Sequence, residues 1–270
     1  MPHTSCGDLD LYYEESGAGA PVVFIPGTGL RGSSWQLQVA HLADRFRCLT
    51  LDLRGSGETR GGSGEFTVID LADDVARWLD TLGVGAATVV GLSLGSAVAQ
   101  ELALARPDLV ARLVLVATWS SSSTEHHIRR HFESRLYALE NGPLDVYGQF
   151  SFWMSSPTLF DTEPERQAEV ERLLRAHMSS DLTGTAGHFR ADLAHETRDR
   201  LGSISCPTLV VHGDEDLITL PRYNSTVAGL VPGATLRTIP AAGHLSCFER
   251  PGELNALLDE FLTGAGTSTD

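Results

Sequence analysis

The chain of 270 residues is 42% hydrophobic, which supplies the core of one large α/β domain with room for one insertion. Its formal net charge of −15 argues against nucleic acid or an anionic membrane as partner. All 20 basic residues are arginine, so Schiff-base, pyridoxal-phosphate and P-loop chemistries, each built on a lysine, are excluded.

The four cysteines form no C-x-x-C pair and are too few for a disulfide framework in a chain of this length. The first residues lack a basic start followed by an apolar run, and no stretch nears the ~18 apolar residues of a membrane span. A cytoplasmic protein acting on a small molecule is expected.

The predicted elements begin with a hairpin turning at Gly7-Asp8. Strands at Val22–Ile25, Cys48–Leu51, Thr88–Val90 and Leu113–Val116 then alternate with helices near Ser34–Ala43, Val68–Leu82 and Leu94–Arg106. The strands are short, β-branched and apolar throughout, the pattern of a parallel sheet covered on both faces. From Trp119 to about Arg200 the alternation stops. Ile128, Phe132, Leu136 and Leu139 share helical spacing, with Asn141-Gly142-Pro143 as the stop. Thr162-Glu163-Pro164-Glu165 predicts another helix start, with Thr162 as its cap. Alternation resumes with a strand at Thr208–Val211, a helix near Pro221–Leu230, a strand at Thr235–Ile239 and a last helix at Gly252–Leu262. The polar tail, Thr263–Asp270, is expected to fray. The expected architecture is α/β, a mostly parallel sheet with helices on both faces. Residues 1–118 and 200–270 form its core, and 119–199 form a helical cap.

Gly27, Gly29 and Gly32 fall in the order G-x-G-x-x-G, and Asp52 follows 20 residues after the last of them. That is the dinucleotide-binding spacing. In that fold the third glycine lies inside the helix. Here Ser33 or Ser34 is the better N-cap, which leaves Gly32 outside. The glycines then serve instead to bring a main-chain N–H close to a reacting centre.

A G-x-S-x-G, Gly91-Leu92-Ser93-Leu94-Gly95, joins a predicted strand to a predicted helix. A serine on such a turn is lifted above the C-terminal edge of the sheet, beside the positive end of the helix. Serine needs a base, and His244 follows the last strand at the same edge. The base needs a carboxylate to fix its tautomer. Asp214, Glu215 and Asp216 compete at the end of another strand, with Asp216 favoured by spacing and Asp214 in reserve.

The chain resembles a capped α/β-hydrolase over nearly its whole length. The matching pieces are Pro26-Gly27-Thr28-Gly29, Asp52-Leu53-Arg54-Gly55-Ser56-Gly57, the G-x-S-x-G, Gly213-Asp214-Glu215-Asp216 and Gly243-His244. The stretch from Ala241 to Pro251 is similar to the 3-oxoadipate enol-lactonase and aminoacrylate-hydrolase-like branch. The resemblance implies Ser93 as nucleophile, His244 as base and Asp216 as acid. It implies oxyanion donors at the main-chain N–H groups of Leu94 and Thr28. Many relatives carry His-Gly where this chain has Pro26-Gly27. The implied reaction is ester or lactone hydrolysis through an acyl-enzyme, without cofactor or metal, with activity falling below roughly pH 6.5, the ordinary histidine value. Two alternatives remain at this level: carbon–carbon bond hydrolysis or polyketide tailoring on the same triad, and a non-catalytic ligand receptor on a hydrolase scaffold.

Trp119 and Trp153 are candidate pocket walls, because a cap has to close over the nucleophile. Arg54 is expected in a structural ion pair. His127 and His131, four apart, are expected on a solvated helix face rather than at a metal. Arg129, Arg130 and Arg190 could locally reverse the negative charge for an acidic substrate.

Overall fold

The computed structural model describes residues 2–62, 64–141 and 152–264. Its strands are β1 (His3–Cys6), β2 (Leu9–Ser16), β3 (Pro21–Ile25), β4 (Arg47–Leu51), β5 (Arg60–Gly61), β6 (Ala87–Leu92), β7 (Val110–Val116), β8 (Thr208–Gly213) and β9 (Thr235–Ile239). They form one sheet in the order β1-β2-β4-β3-β6-β7-β8-β9, with β5 alongside β2. Pairing is antiparallel from β1 to β4 and parallel from β4 to β9. Every residue of β6 and β8 is buried, as a sheet covered on both faces requires.

Helices α1 (Gln36–Leu42), α2 (Val68–Thr81) and α3 (Leu94–Ala105) connect the first parallel strands. Thr67 and Asp70 cap α2 reciprocally, which sets its start. Between β7 and β8 the chain leaves the sheet for α4 (His126–Asn141), α5 (Pro157–Thr162), α6 (Pro164–His177) and α7 (Leu182–Ala194). It returns through α8 (Pro221–Leu230), α9 (Ser246–Glu249) and α10 (Pro251–Thr263). Of the expected stop after α4, Gly142 and Pro143 lie outside the described residues, as do residues 265–270 of the tail.

Two local expectations are corrected. Gly32 is the first residue of a 3-10 helix, Gly32–Trp35, that leads into α1; Arg31 stands at its cap position and no side chain caps it. A side chain at Gly32 would lie 2.6 Å from the Leu51 carbonyl oxygen, so close packing on β4 selects glycine there. Thr162 does not cap α6. It is the last residue of α5, its hydroxyl donates to the Thr158 carbonyl, and Glu163 takes the cap position before pairing with Arg250.

The strand order reverses around β3, with β4 on one side and β6 on the other. Connections leaving β3 and β6 therefore diverge and open a crevice at the C-terminal edge of the sheet. The loop bearing Thr28 leaves β3 there, and Ser93 leaves β6.

Candidate active site

Ser93 sits between β6 and α3 with φ 52° and ψ −118°, a conformation that L side chains adopt only where the surroundings impose it. Its main-chain N–H donates to Val116 O at 2.9 Å, and its carbonyl accepts from the N–H groups of Ser96 and Ala97. The flanking glycines are sterically required. A Cβ at Gly91 would lie 2.1 Å from Gly95 O, and one at Gly95 would lie 2.2 Å from Ile25 O. Turn, helix and neighbouring strand thus interlock around the serine.

His244 and Asp216 are both buried, and His244 Nδ1 lies 2.9 Å from Asp216 Oδ2. Asp216 also accepts from the N–H groups of Ile218 and Thr219 and from the Thr219 hydroxyl, at 2.8, 3.0 and 2.6 Å. Burial by itself would raise this carboxyl. The His244 ring, by charge and hydrogen bond, together with the Thr219 and Ile218 donors, outweighs burial and holds it below the ordinary aspartate value. The other two acids go elsewhere. Asp214 is exposed, and Glu215 accepts from Ser156 and Thr158 of the insertion.

Among the described residues neither Ser93 Oγ nor His244 Nε2 makes a hydrogen bond, so the serine–histidine contact is not formed here; in free enzymes such contacts often tighten only with substrate. Likewise no acceptor among the described residues engages the main-chain N–H of Leu94 or Thr28. Leu94 opens α3, so its N–H lies at the positive end of that helix. Ser93 is 5% exposed and His244 2%, so both are buried.

Several supports were not evident from sequence. Glu249 accepts from the N–H groups of Gly243, Leu245 and Ser156, which braces the His244 loop and ties it to the insertion. The His244 N–H donates to Met154 O at 2.8 Å. His131 departs from the expected solvated face. It is half-buried, stacks edge-on against Trp153 and lies near the His244–Asp216 pair. Burial, aided by Arg135 and His244, lowers it to about 3, so this ring is neutral. His127 reaches Leu217 O, beside Asp216.

Trp153 is 38% exposed, whereas Trp119 is sealed between Phe132 and His195. Arg54 forms the structural pair expected of it, with Asp74 at 2.8 Å. Asp52 accepts from the N–H groups of Gly32 and Glu58, a brace across the loop rather than a free ribose acceptor. Arg129 and Arg130 pair with Glu133, and Arg190 pairs with Glu140, so these cations are already offset. Among the described residues no cluster of three or more His, Cys, Asp or Glu could hold a metal, and no helix is long and apolar enough to cross a membrane.

The model of the alpha/beta hydrolase fold matches residues 20–251. The chain belongs to that family. Within it, the chain is 34% identical over 262 residues to a Mycobacterium tuberculosis protein named as a non-heme bromoperoxidase, BpoC; the match covers 94% of this chain and 97% of the relative. It is 32% identical over 260 residues to a protein of Azorhizobium caulinodans named as a carbamate hydrolase, RutD, covering 96% and 97%. Among solved structures, a thermophilic esterase from Thermogutta terrifontis superposes with a TM-score of 0.84 at 28% identity, over 98% of this chain and 97% of that one. The enol-lactonase of Burkholderia xenovorans superposes with a TM-score of 0.82 at 25% identity, over 97% and 100%. The family places this α/β-hydrolase among hydrolytic enzymes.

Proposed function

We propose that this enzyme is a serine hydrolase that cleaves a small or medium carboxylic ester or lactone through an acyl-enzyme. Ser93 is the nucleophile, His244 the general base, and Asp216 the acid that orients it. One observation carries the reading: Asp216 holds Nδ1 of His244 at 2.9 Å and leaves Nε2 free, at the sheet edge where Ser93 is held at φ 52°. The neighbours named as esterase, enol-lactonase and carbamate hydrolase support a carbonyl substrate.

Ser93 Oγ attacks the carbonyl carbon while its proton passes to His244 Nε2. The carbonyl pair moves onto oxygen, and the oxyanion is met by the N–H groups of Leu94 and Thr28. Collapse breaks the bond to the leaving oxygen, which takes the proton from His244. Water then attacks the acyl-serine, His244 accepts its proton, and release of the acid restores Ser93. Asp216 stays ionised throughout and stabilises the imidazolium.

In this reading residues 119–199 act as the cap over a core made of 1–118 and 200–270. Trp153 walls the pocket beside His131, and Trp119 backs it from within.

The test is labelling by a fluorophosphonate probe together with turnover on panels of esters, lactones and β-diketones. Wild type is labelled at Ser93 and hydrolyses an ester or lactone, and Ser93→Ala loses at least about 1,000-fold in kcat. Near-wild-type hydrolysis by Ser93→Ala refutes the proposal. Turnover confined to β-diketones moves the reaction to carbon–carbon cleavage.

A further inference from the structure

The loop that follows β3 is fastened to the insertion at successive residues. Arg31 donates its N–H to His177 O at 2.9 Å, and Ser179 donates to Gly29 O at 2.7 Å. Leu30 and Met178 form an antiparallel bridge. Gly29 N–H donates to His188 Nδ1 at 3.1 Å, and His188 Nε2 donates in turn to Arg54 O at 2.6 Å. The remaining link is a side-chain pair: the Thr28 hydroxyl donates to Asp192 Oδ2 at 2.7 Å.

That pair is expensive to keep. Asp192 on α7 is wholly buried, and its second oxygen, Oδ1, has no hydrogen-bond partner among the described residues. A buried polar atom without a partner destabilises the fold, and an aliphatic side chain of similar size would pack there without that cost. Retention of a carboxyl at such a position points to a task other than packing.

The task follows from what lies on either side of Thr28. Gly27 and Gly29 flank it, and Gly29 has φ 66°. Two glycines leave the direction of the intervening peptide weakly determined by local sterics. Tethering the β-branched Thr28 side chain fixes its χ1 and, through it, the backbone that carries the N–H. We infer that Asp192 is a positioning residue for the oxyanion hole: through Thr28 it sets the N–H that the acyl-transfer reading assigns as second donor. The hole is then assembled jointly, with the donor supplied by the core and its orientation by the insertion. The inference rests on that reading.

A negative carboxylate beside a developing oxyanion would oppose it. Burial pushes the Asp192 carboxyl up to about 8, against a smaller lowering by Thr28, so the neutral acid predominates at neutral pH.

The experiment compares Asp192→Leu, Asp192→Asn, Thr28→Val and Thr28→Ser, each checked for folding by circular dichroism and Tm. Asp192→Leu removes the acceptor at similar volume. It is expected to lower kcat about 10- to 100-fold with KM changed less than about threefold, the signature of a misplaced transition-state contact. Asp192→Asn keeps an acceptor for Thr28 and recovers most of that loss. Thr28→Val matches Asp192→Leu, Thr28→Ser recovers, and the double variant Thr28→Val/Asp192→Leu is no worse than the poorer single one. Folded Asp192→Leu with kcat within twofold of wild type, a loss confined to KM, or additive losses in the double variant overturns the inference. If Asp192→Leu does not fold, the Val and Ser pair at Thr28 decides in the same terms. Ser93→Ala separates the two levels. If it still turns over substrate, the acyl-transfer reading falls; if it is inactive while Asp192→Leu is not impaired, only the role of Asp192 falls.

Discussion

Replacing Asp192 with Asn tests the burial of the carboxyl without reference to activity. Its folded value is about 8 against 3.8 for the free side chain, so between those limits the native state holds a proton that the unfolded state has released. Stability from this group is therefore complete below pH 3.8 and is lost as pH rises towards 8. While the folded value stays above 7, each pH unit of rise weakens the native state, for a loss on the order of 3 kcal/mol between pH 5 and 7. Asn cannot titrate, so the difference in unfolding free energy between the two proteins should shift by that amount in favour of the variant. Other titrating groups nearby include His188 on α7 and His195 just after it, both lowered to about 4 mainly by burial, and His131 and Arg135 on α4. The buried histidines act in the opposite direction, losing stability as pH falls below ~6.5, but they are common to both proteins and cancel in the difference. Urea unfolding followed by tryptophan fluorescence at pH 5, 6 and 7 measures it. A difference constant to within about 0.5 kcal/mol would show that Asp192 is already ionised in the folded protein and refute the argument; that figure is the usual spread for an uncoupled site.

Four further outcomes follow from the same structure. Asp216→Asn is expected to cut kcat about 10,000-fold with Tm little changed, because the histidine then loses the partner that fixes its tautomer; steady-state kinetics and a thermal melt check both parts. Gly95→Ala places a Cβ 2.2 Å from Ile25 O and should cost about 3 kcal/mol, whereas Gly252→Ala meets nothing within 4 Å and should be neutral or slightly stabilising in a melt. Arg54→Met removes one of the two arginines paired with Asp74, whose side chain is 2% exposed, and leaves Arg77 as its cationic partner, so it should cost about 1–3 kcal/mol in urea unfolding with kcat retained. His131→Phe removes a ring that is neutral above about pH 3, so its pH–rate profile between pH 5 and 9 should superpose on wild type.

Local sequence was informative wherever a neighbour along the chain decides the conformation. The strand at Thr235–Ile239 and the helix at Pro221–Leu230 emerge with the bounds their residues suggest. Gly91 and Gly95 are legible because the turn around Ser93 forbids a Cβ at either position. Reading failed where an apparent cap had a better use elsewhere. Thr162 has the chemistry of a helix start, yet Pro157 had already begun a helix that ends on it. His131 read as solvated because no acid-rich ladder or second histidine pair gave it a partner along the chain, and the ring contacts with Phe132 and Trp153 that bury it are set by packing. Asp192 carried no motif at all, and Glu249 stood in the Ala241–Pro251 stretch with no role attached to it.

The sequence by itself therefore determined the alternation of strands and helices, the serine turn and the order Ser93, Asp216, His244 along the chain. These depend on side-chain periodicity and on steric limits spanning a few residues. Only the tertiary structure decided that Glu249 ties the His244 loop to the insertion and that Asp192 reaches Thr28 across 164 residues of sequence. Each of those contacts joins groups brought together by burial of other residues, and the worth of a buried carboxyl is set by what surrounds it in space.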